Sequence, residues 1–333
     1  MNELRMNRDR GQGGFTLLEL LIATVVTVIV GAAGYSFFGN TFNFSVIHSR
    51  NVEMQRETRI AVDVMSREIR NAGLGIVNPL ALAGAPHPAA AGFGIITAGN
   101  NVDPDPAGVA NRIDRITLWG GYQLIGMLTC AAPPCSDPVV GAGALQILVK
   151  PLAGTTPINP TVNAATITLD GFYTGLVTAV VGPDANGAFL LTLNTPLNRA
   201  YSQNNSVLWM QRIDYDVNVP AVGQEPILRR SVSNYNPLIM GASAQIASGI
   251  EDLQFLYLLN GGAQTWAPAA AAPVTATPIR AVRFSLLARG RDPDPKVTSV
   301  SARPVLEDHA AGVTDNFHRR LMSKVTEVRN LGF

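Results

Sequence analysis

From Phe15 to Phe38 the chain is apolar with few interruptions: Thr, Ser, Gly, Tyr35 and Glu19. The run matches the roughly 20 residues a helix needs to cross the hydrocarbon core of a bilayer. After His48 the polarity changes, but a helical period persists in "NVEMQRETRIAVDVMSREIRNAG". There Val52, Ile60, Ala61, Val64, Met65, Ile69 and Ala72 recur at helical spacing with Arg and Glu between them. No proline occurs between Met1 and Val77. The pattern predicts one long helix from about Phe15 to about Asn71, stopped by "NAGLG" and Pro79. Gly31, Gly34 and Gly39 are weak points inside it. Since glycine costs about 1 kcal/mol in a helix interior, a membrane helix joined to a separate amphipathic helix is the alternative.

Between Val77 and Asn111 the chain is rich in Ala, Gly and Pro, a loop composition. Runs of β-type residues follow, separated by turn signals: "IDRITLW", "LQILV", "TITLD", "LVTAVV", "AFLLTL", "VLWMQRIDYDV", "PILRRSV", "IEDLQFLYLL" and "IRAVRFSLLAR". Several alternate apolar and polar positions, as antiparallel strands with one covered face do. The helix is expected on that face. Ala267 to Pro278, "APAAAAPVTATP", reads as an exposed loop. The C-terminal "FHRRLMSKVTEVRNLGF" fits either a helix, with Phe317, Leu321, Val325 and Val328 in phase, or an edge strand over "LMSKVTEV", and its basic residues read as a solvated face. The fold class is α+β: a long N-terminal helix on an antiparallel β-rich globular domain, with no fixed-period repeat and no second domain boundary.

Composition narrows the function classes. The net charge of +1 and the lack of a Lys/Arg cluster interleaved with aromatics remove the electrostatic basis for nucleic-acid binding. Cys130 and Cys135 lie in the Pro-rich "TCAAPPCSDP", where an oxidised pair closes a small ring in an exported protein; two free thiols or half a metal site are the alternatives. No His or further Cys lies near enough to complete a zinc site. The four histidines, His48, His87, His309 and His318, are widely spaced, and no nucleophile turn or cofactor motif occurs. "DPDP" at Asp103 and again at Asp292, and the same-face pair Asp214 and Asp216, lack the glycine and distal acid of a calcium loop. Neither enzyme nor cofactor is indicated.

Glu19, near the start of the apolar run, demands an explanation, because a charge at the centre of a bilayer span costs at least about 2.5 to 3.5 kcal/mol and such residues are rare. The segment before the apolar run carries Arg5, Arg8 and Arg10, which hold that end in the cytoplasm and place the rest of the chain outside. A cleaved secretory signal finds small residues at "VGAAGYS", but its hydrophobic region is over-long and contains Glu19. A plain signal anchor leaves Glu19 unexplained. The third reading starts from "GGFTLLELLIA", which resembles the processing motif of type IV prepilins and pseudopilins. That resemblance implies a cut between Gly14 and Phe15 by a prepilin peptidase, methylation of Phe15 by the same enzyme, and a role for Glu19 in assembly. Gln12 and Gly13 depart from the family's usual basic residue before the Gly. The new amine on Phe15 offers Glu19 an opposite charge, within the chain or, as the resemblance implies, in a neighbouring subunit.

Further stretches resemble PilW-type minor pilins and the related J-type pseudopilins of type II secretion: "AVDVMSREIRNAGLG", Glu251 to Phe255 within "IASGIEDLQFLYLL", "IRAVRFSLLAR", and the closing "RRLMSKVTEVRN" with Arg329 and Asn330. The implied organisation is a cleaved leader over 1–14, a long helix over 15–72 with its transmembrane part over 15–38, and a globular domain over 73–333. The implied role is that of a non-catalytic subunit in pilus assembly or priming at the tip. Its partners are then the peptidase, other major and minor pilins through the N-terminal helix, and the inner membrane before assembly, with the domain in the periplasm and later on a surface pilus. A J-type pseudopilin and a membrane-tethered adhesion or binding protein are the alternatives.

Overall fold

A computed structural model describes residues 15–75, 95–103, 113–131, 134–153, 165–219, 224–233, 240–259, 266–268, 279–294, 303–307 and 315–329, with Asn40 and Asn43 described by backbone alone. The leader with Gly14, the histidines His87 and His309, Asp105 and Asn330 lie outside the described residues. The described chain forms one helix, α1 (Leu17–Asn71), and thirteen strands. It divides into two compact units, 1–52 and 53–333, and α1 contributes to both.

In the first unit α1 is unbroken through Gly31 and Gly34, around which a side chain would meet only open space. The apolar residues Leu17, Leu18, Leu21, Ile22, Val26, Ile29 and Val30 are all exposed. The hydroxyls that interrupt the run are satisfied within the helix. Thr24 donates to the carbonyl of Leu21 at 2.8 Å, Thr27 to Ala23 at 2.7 Å and Thr41 to Phe37 at 2.9 Å. This internal bonding lets a polar residue sit in an apolar helix without an orphaned group.

The second unit begins with the last five turns of α1, whose inward stripe is Met54, Thr58, Ala61, Val62, Met65, Ile69 and Ala72. Val52 and Ile60, which the spacing placed on the apolar face, are 51% and 39% exposed. Thr58 takes the place of Ile60 in the core because its hydroxyl bonds back to the carbonyl of Met54 at 2.6 Å. Three strands follow: β1 (Ile96–Asp103), β2 (Ile113–Thr129) and β3 (Gln146–Pro151). Next come β4 (Ala165–Leu169), β5 (Tyr173–Val181), β6 (Phe189–Leu193) and β7 (Ser206–Asn218). The chain continues through β8 (Ile227–Val232), β9 (Ala244–Ser248), β10 (Ile250–Leu259) and β11 (Trp266–Pro268), and ends in β12 (Ile279–Arg289) and β13 (Arg319–Glu327). One sheet has the order β1-β2-β3-β6-β5-β4-β7-β8-β9; the other has β11-β10-β12-β13. The pairings are antiparallel throughout, for example β1 with β2, β7 with β8 and β10 with β12.

β2 also pairs with β7, from Ile116 opposite Tyr215 to Met127 opposite Ser206. That pairing closes β2, β3, β6, β5, β4 and β7 into a small antiparallel barrel. Its filling, including Ile125, Ile147, Ile167, Val177, Leu191 and Trp209, forms a core separate from the one under α1. The latter gathers Met65 and Ile69 of α1 with Ile116, Met210 and Tyr215 of the first sheet and Phe255, Phe284 and Leu286 of the second.

Each of the nine β-type runs contains a strand, but the sequence reading missed others. β1 lies inside the Ala/Gly/Pro-rich stretch read as loop. It is an edge strand with Gly99 and Asn101 at an irregularity, Asn101 at φ 51°, so its composition carries little strand signal. β11 takes the first two residues of the low-complexity stretch, with Ala267 opposite Tyr257 and Pro268 opposite Leu256; the rest of that stretch lies outside the described residues. The C-terminal segment is the edge strand β13, held to β12 from Arg289 opposite Arg319 to Ala281 opposite Glu327.

Candidate functional site

Thr16 immediately precedes the first residue of α1, and Glu19 is the third residue within it. The backbone N–H of Glu19 donates to Oγ1 of Thr16 at 3.2 Å, while the backbone N–H and the hydroxyl of Thr16 both donate to Oε2 of Glu19 at 3.0 Å. This reciprocal arrangement is a capping box, with Thr-Leu-Leu-Glu as its sequence signature. Thr16 is the functional residue the sequence reading overlooked, because the search was for a charge partner for Glu19. In water such a cap is worth about 1 kcal/mol. In hydrocarbon an unsatisfied N–H costs several kcal/mol, so the cap matters more there. Phe15 precedes it, 90% exposed.

The far end of α1 is fixed to the globular domain by polar contacts. Gly73 follows in the left-handed region at φ 76°, where a side chain would also strike Ile95. Its N–H donates to the carbonyl of Trp119 at 2.7 Å. Glu68 accepts the hydroxyl of Tyr215 on β7 at 2.5 Å and the Nε of Arg230 on β8 at 2.9 Å. Burial, and then the Glu68 charge, push the Tyr215 phenol well above its ordinary range. Glu57 accepts the N–H of Ser248 at 3.2 Å, and the N–H of Arg329, after β13, reaches the carbonyl of Arg70 at 3.2 Å.

The Glu251 to Phe255 stretch is a buried polar strand. Asp252, fully buried, pairs with Arg303 at 2.7 Å, and that arginine is itself only 3% exposed. Glu251 accepts both Nε and Nη2 of Arg319, at 2.7 and 3.1 Å. Arg319 also binds Asp315 at 2.6 Å. Burial alone would raise the Asp315 carboxyl, but the Arg319 hydrogen bonds hold it below the ordinary carboxylate range. The N–H of Phe255 donates to Asp114 of β2 at 2.9 Å, which joins the two sheets.

The remaining candidates have structural partners. Asp214 is held by Arg212 and Thr117, Asp216 by Arg229, and His318 lies 3.1 Å from Asp294. Cys130 and Cys135 form a disulfide with their Cα atoms 5.6 Å apart. So short a ring removes little chain entropy, less than the roughly 3 kcal/mol expected of a 15-residue loop. Replacing both cysteines by Ser should leave the domain folded by circular dichroism, and alkylation without reductant should label neither thiol of the parent protein.

Two family models match. Residues 9–35 match the prokaryotic N-terminal methylation motif, and residues 214–330 match type IV pilus-assembly protein W. The first contains the capping box; the second runs from the end of β7 through β13 and holds the Glu251, Asp252 and Arg319 pairs. No curated protein matches. Among solved structures, a type IV-like pilin of Thermus thermophilus is similar at 12% identity, over 84% of this chain and 97% of that one, with a TM-score of 0.34. The chain thus pairs a segment similar to the prokaryotic N-terminal methylation motif with a segment similar to type IV pilus-assembly protein W.

Proposed function

We propose that this protein is a non-catalytic structural subunit that helps to assemble or prime a type IV pilus at its tip. A prepilin peptidase cuts it between Gly14 and Phe15 and methylates Phe15. The apolar part of α1 holds it in the inner membrane with residues 73–333 in the periplasm, until it moves into the fibre beside other pilins. The observation that carries this reading is a capped helix start bearing Glu19, at the head of an apolar helix whose side chains are exposed among the described residues. Such a surface is stable only in lipid or against other apolar helices.

Peptide mapping of purified surface fibres by mass spectrometry tests the reading. The expected result is a chain beginning at methylated Phe15 and present in the fibres. An intact leader would point to a tethered protein that never assembles, and a start between Ala32 and Tyr35 would establish ordinary signal cleavage. Recovery from a secretion pseudopilus instead would assign it to type II secretion.

A further inference from the structure

We infer that the closed barrel, residues 123–209, is an accessory module set into a hairpin of the domain that carries α1, and that assembly does not require it. The inference rests on the proposed pilus role and adds a division of labour within the chain.

Register carries the first part. β2 and β7 run side by side below the barrel, with Ile116 opposite Tyr215, Trp119 opposite Arg212 and Gly120 opposite Gln211. The ladder shifts between Gly120 and Gln123, and beyond that point the same two strands become barrel staves. Everything between Tyr122 and Met210 therefore leaves and re-enters the hairpin at neighbouring positions. A tight turn could stand in its place.

The cores carry the second part. Trp119 and Met210 belong to the core under α1 and Tyr122 packs against it, whereas Ile125, Val207 and Trp209 belong to the barrel core. The polar locks on α1 come from Tyr215, Arg230 and Ser248, all outside the barrel. The seam is narrow, at Gly121. A side chain there would strike Thr168 and Leu208, and the Thr168 hydroxyl donates to the carbonyl of Gly75 at 2.6 Å. Neither matched family segment reaches the barrel, since one ends at 35 and the other begins at 214.

The ends of the barrel strands are tied chiefly to one another. The connections after β2, β4 and β6 leave from the same end of the antiparallel barrel. There Tyr201 bridges to Val140, Asn198 donates to the carbonyl of Phe172 at 2.6 Å, and the Arg199 guanidinium lies 3.7 Å over the Phe172 ring. A module closed at its own rim keeps its shape without help from the helix.

Two measurements on the whole chain decide the matter. In the first, residues 123–209 are replaced by Asn-Gly, the dipeptide suited to a tight hairpin turn. The variant should be cut, inserted and found in fibres at the parent's level. The second is hydrogen exchange on full-length point variants in detergent. Leu191→Ala, in the barrel core, should lower protection of the barrel strands about 30-fold or more while α1 from 53 onward, β10 and β12 keep the parent's values. Phe284→Ala should do the reverse. Failure of the hairpin variant to fold, its absence from fibres when folded and processed, or a parallel loss of protection in both cores would each overturn the inference. If the parent chain itself is missing from fibres, the pilus role fails while the exchange experiment still decides whether the barrel is a separate module.

Discussion

Glu19→Ala is expected to be processed and inserted like the parent chain yet to enter fibres poorly. The proposed cleavage leaves a charged amine on Phe15, four residues before Glu19 and about 6 Å away along the helix. The Thr16 cap occupies Oε2 of Glu19. An ionised carboxylate has two oxygens and about four acceptor positions, so capacity remains for an amine of this or a neighbouring subunit. Loss of the cap alone costs about 1 kcal/mol. Loss of one side of a buried charge pair costs about 3 to 5 kcal/mol. Glu19→Gln separates the two, because glutamine completes a capping box but cannot balance the amine. Precursor processing, membrane content and fibre content would be measured for each variant in the same cells. Intermediate incorporation of the Gln variant supports charge pairing, parental incorporation reduces Glu19 to a cap, and parental incorporation of the Ala variant sinks recruitment by this residue altogether.

Arg303→Met should destabilise the globular domain by about 3 to 5 kcal/mol, since it leaves Asp252 charged and fully buried. Adding Asp252→Asn should restore most of the loss. The amide is neutral, and it still accepts the hydrogen bond that Gln254 donates to this position at 2.9 Å. Denaturant unfolding of the detergent-solubilised chain, followed by tryptophan fluorescence, reads both variants; Trp119 and Trp209 report one from each core. Equal losses in the single and double variants would mean that the arginine acts through packing and not through its charge. The Asp315 and Arg319 pair sits nearer to solvent and adds a weaker pH dependence. Because the folded-state carboxyl is held below its ordinary value near 3.8, its contribution is complete above that value and fades as pH falls below it.

What the sequence determined by itself is local or periodic. Hydrophobic length marked the apolar helix, and the Gly-Phe-Thr-Leu-Leu-Glu register marked the segment that matches the N-terminal methylation motif. The helical spacing of apolar residues carried the helix on to Asn71, and β-branched runs placed nine strands. These signals are legible because each residue acts through neighbours a few positions away. The capping box was equally local and was overlooked only because a carboxylate in an apolar run suggests a charge partner first. The tertiary structure alone decided what depends on distant partners. β1 exists because β2 offers an edge to Gly99 and Asn101, residues with little strand preference of their own. The C-terminal segment is a strand because β12 pairs with it along its length. Thr58 displaces Ile60 from the core because rotation of the helix about its axis is fixed by Glu57, Glu68 and the residues that bind them. Barrel closure turns on β2 meeting β7 across nearly a hundred residues, and the partners of Glu251 and Asp252, namely Arg319 and Arg303, also lie far along the chain from them. No window of sequence contains both ends of such contacts, so only the folded chain brings them together.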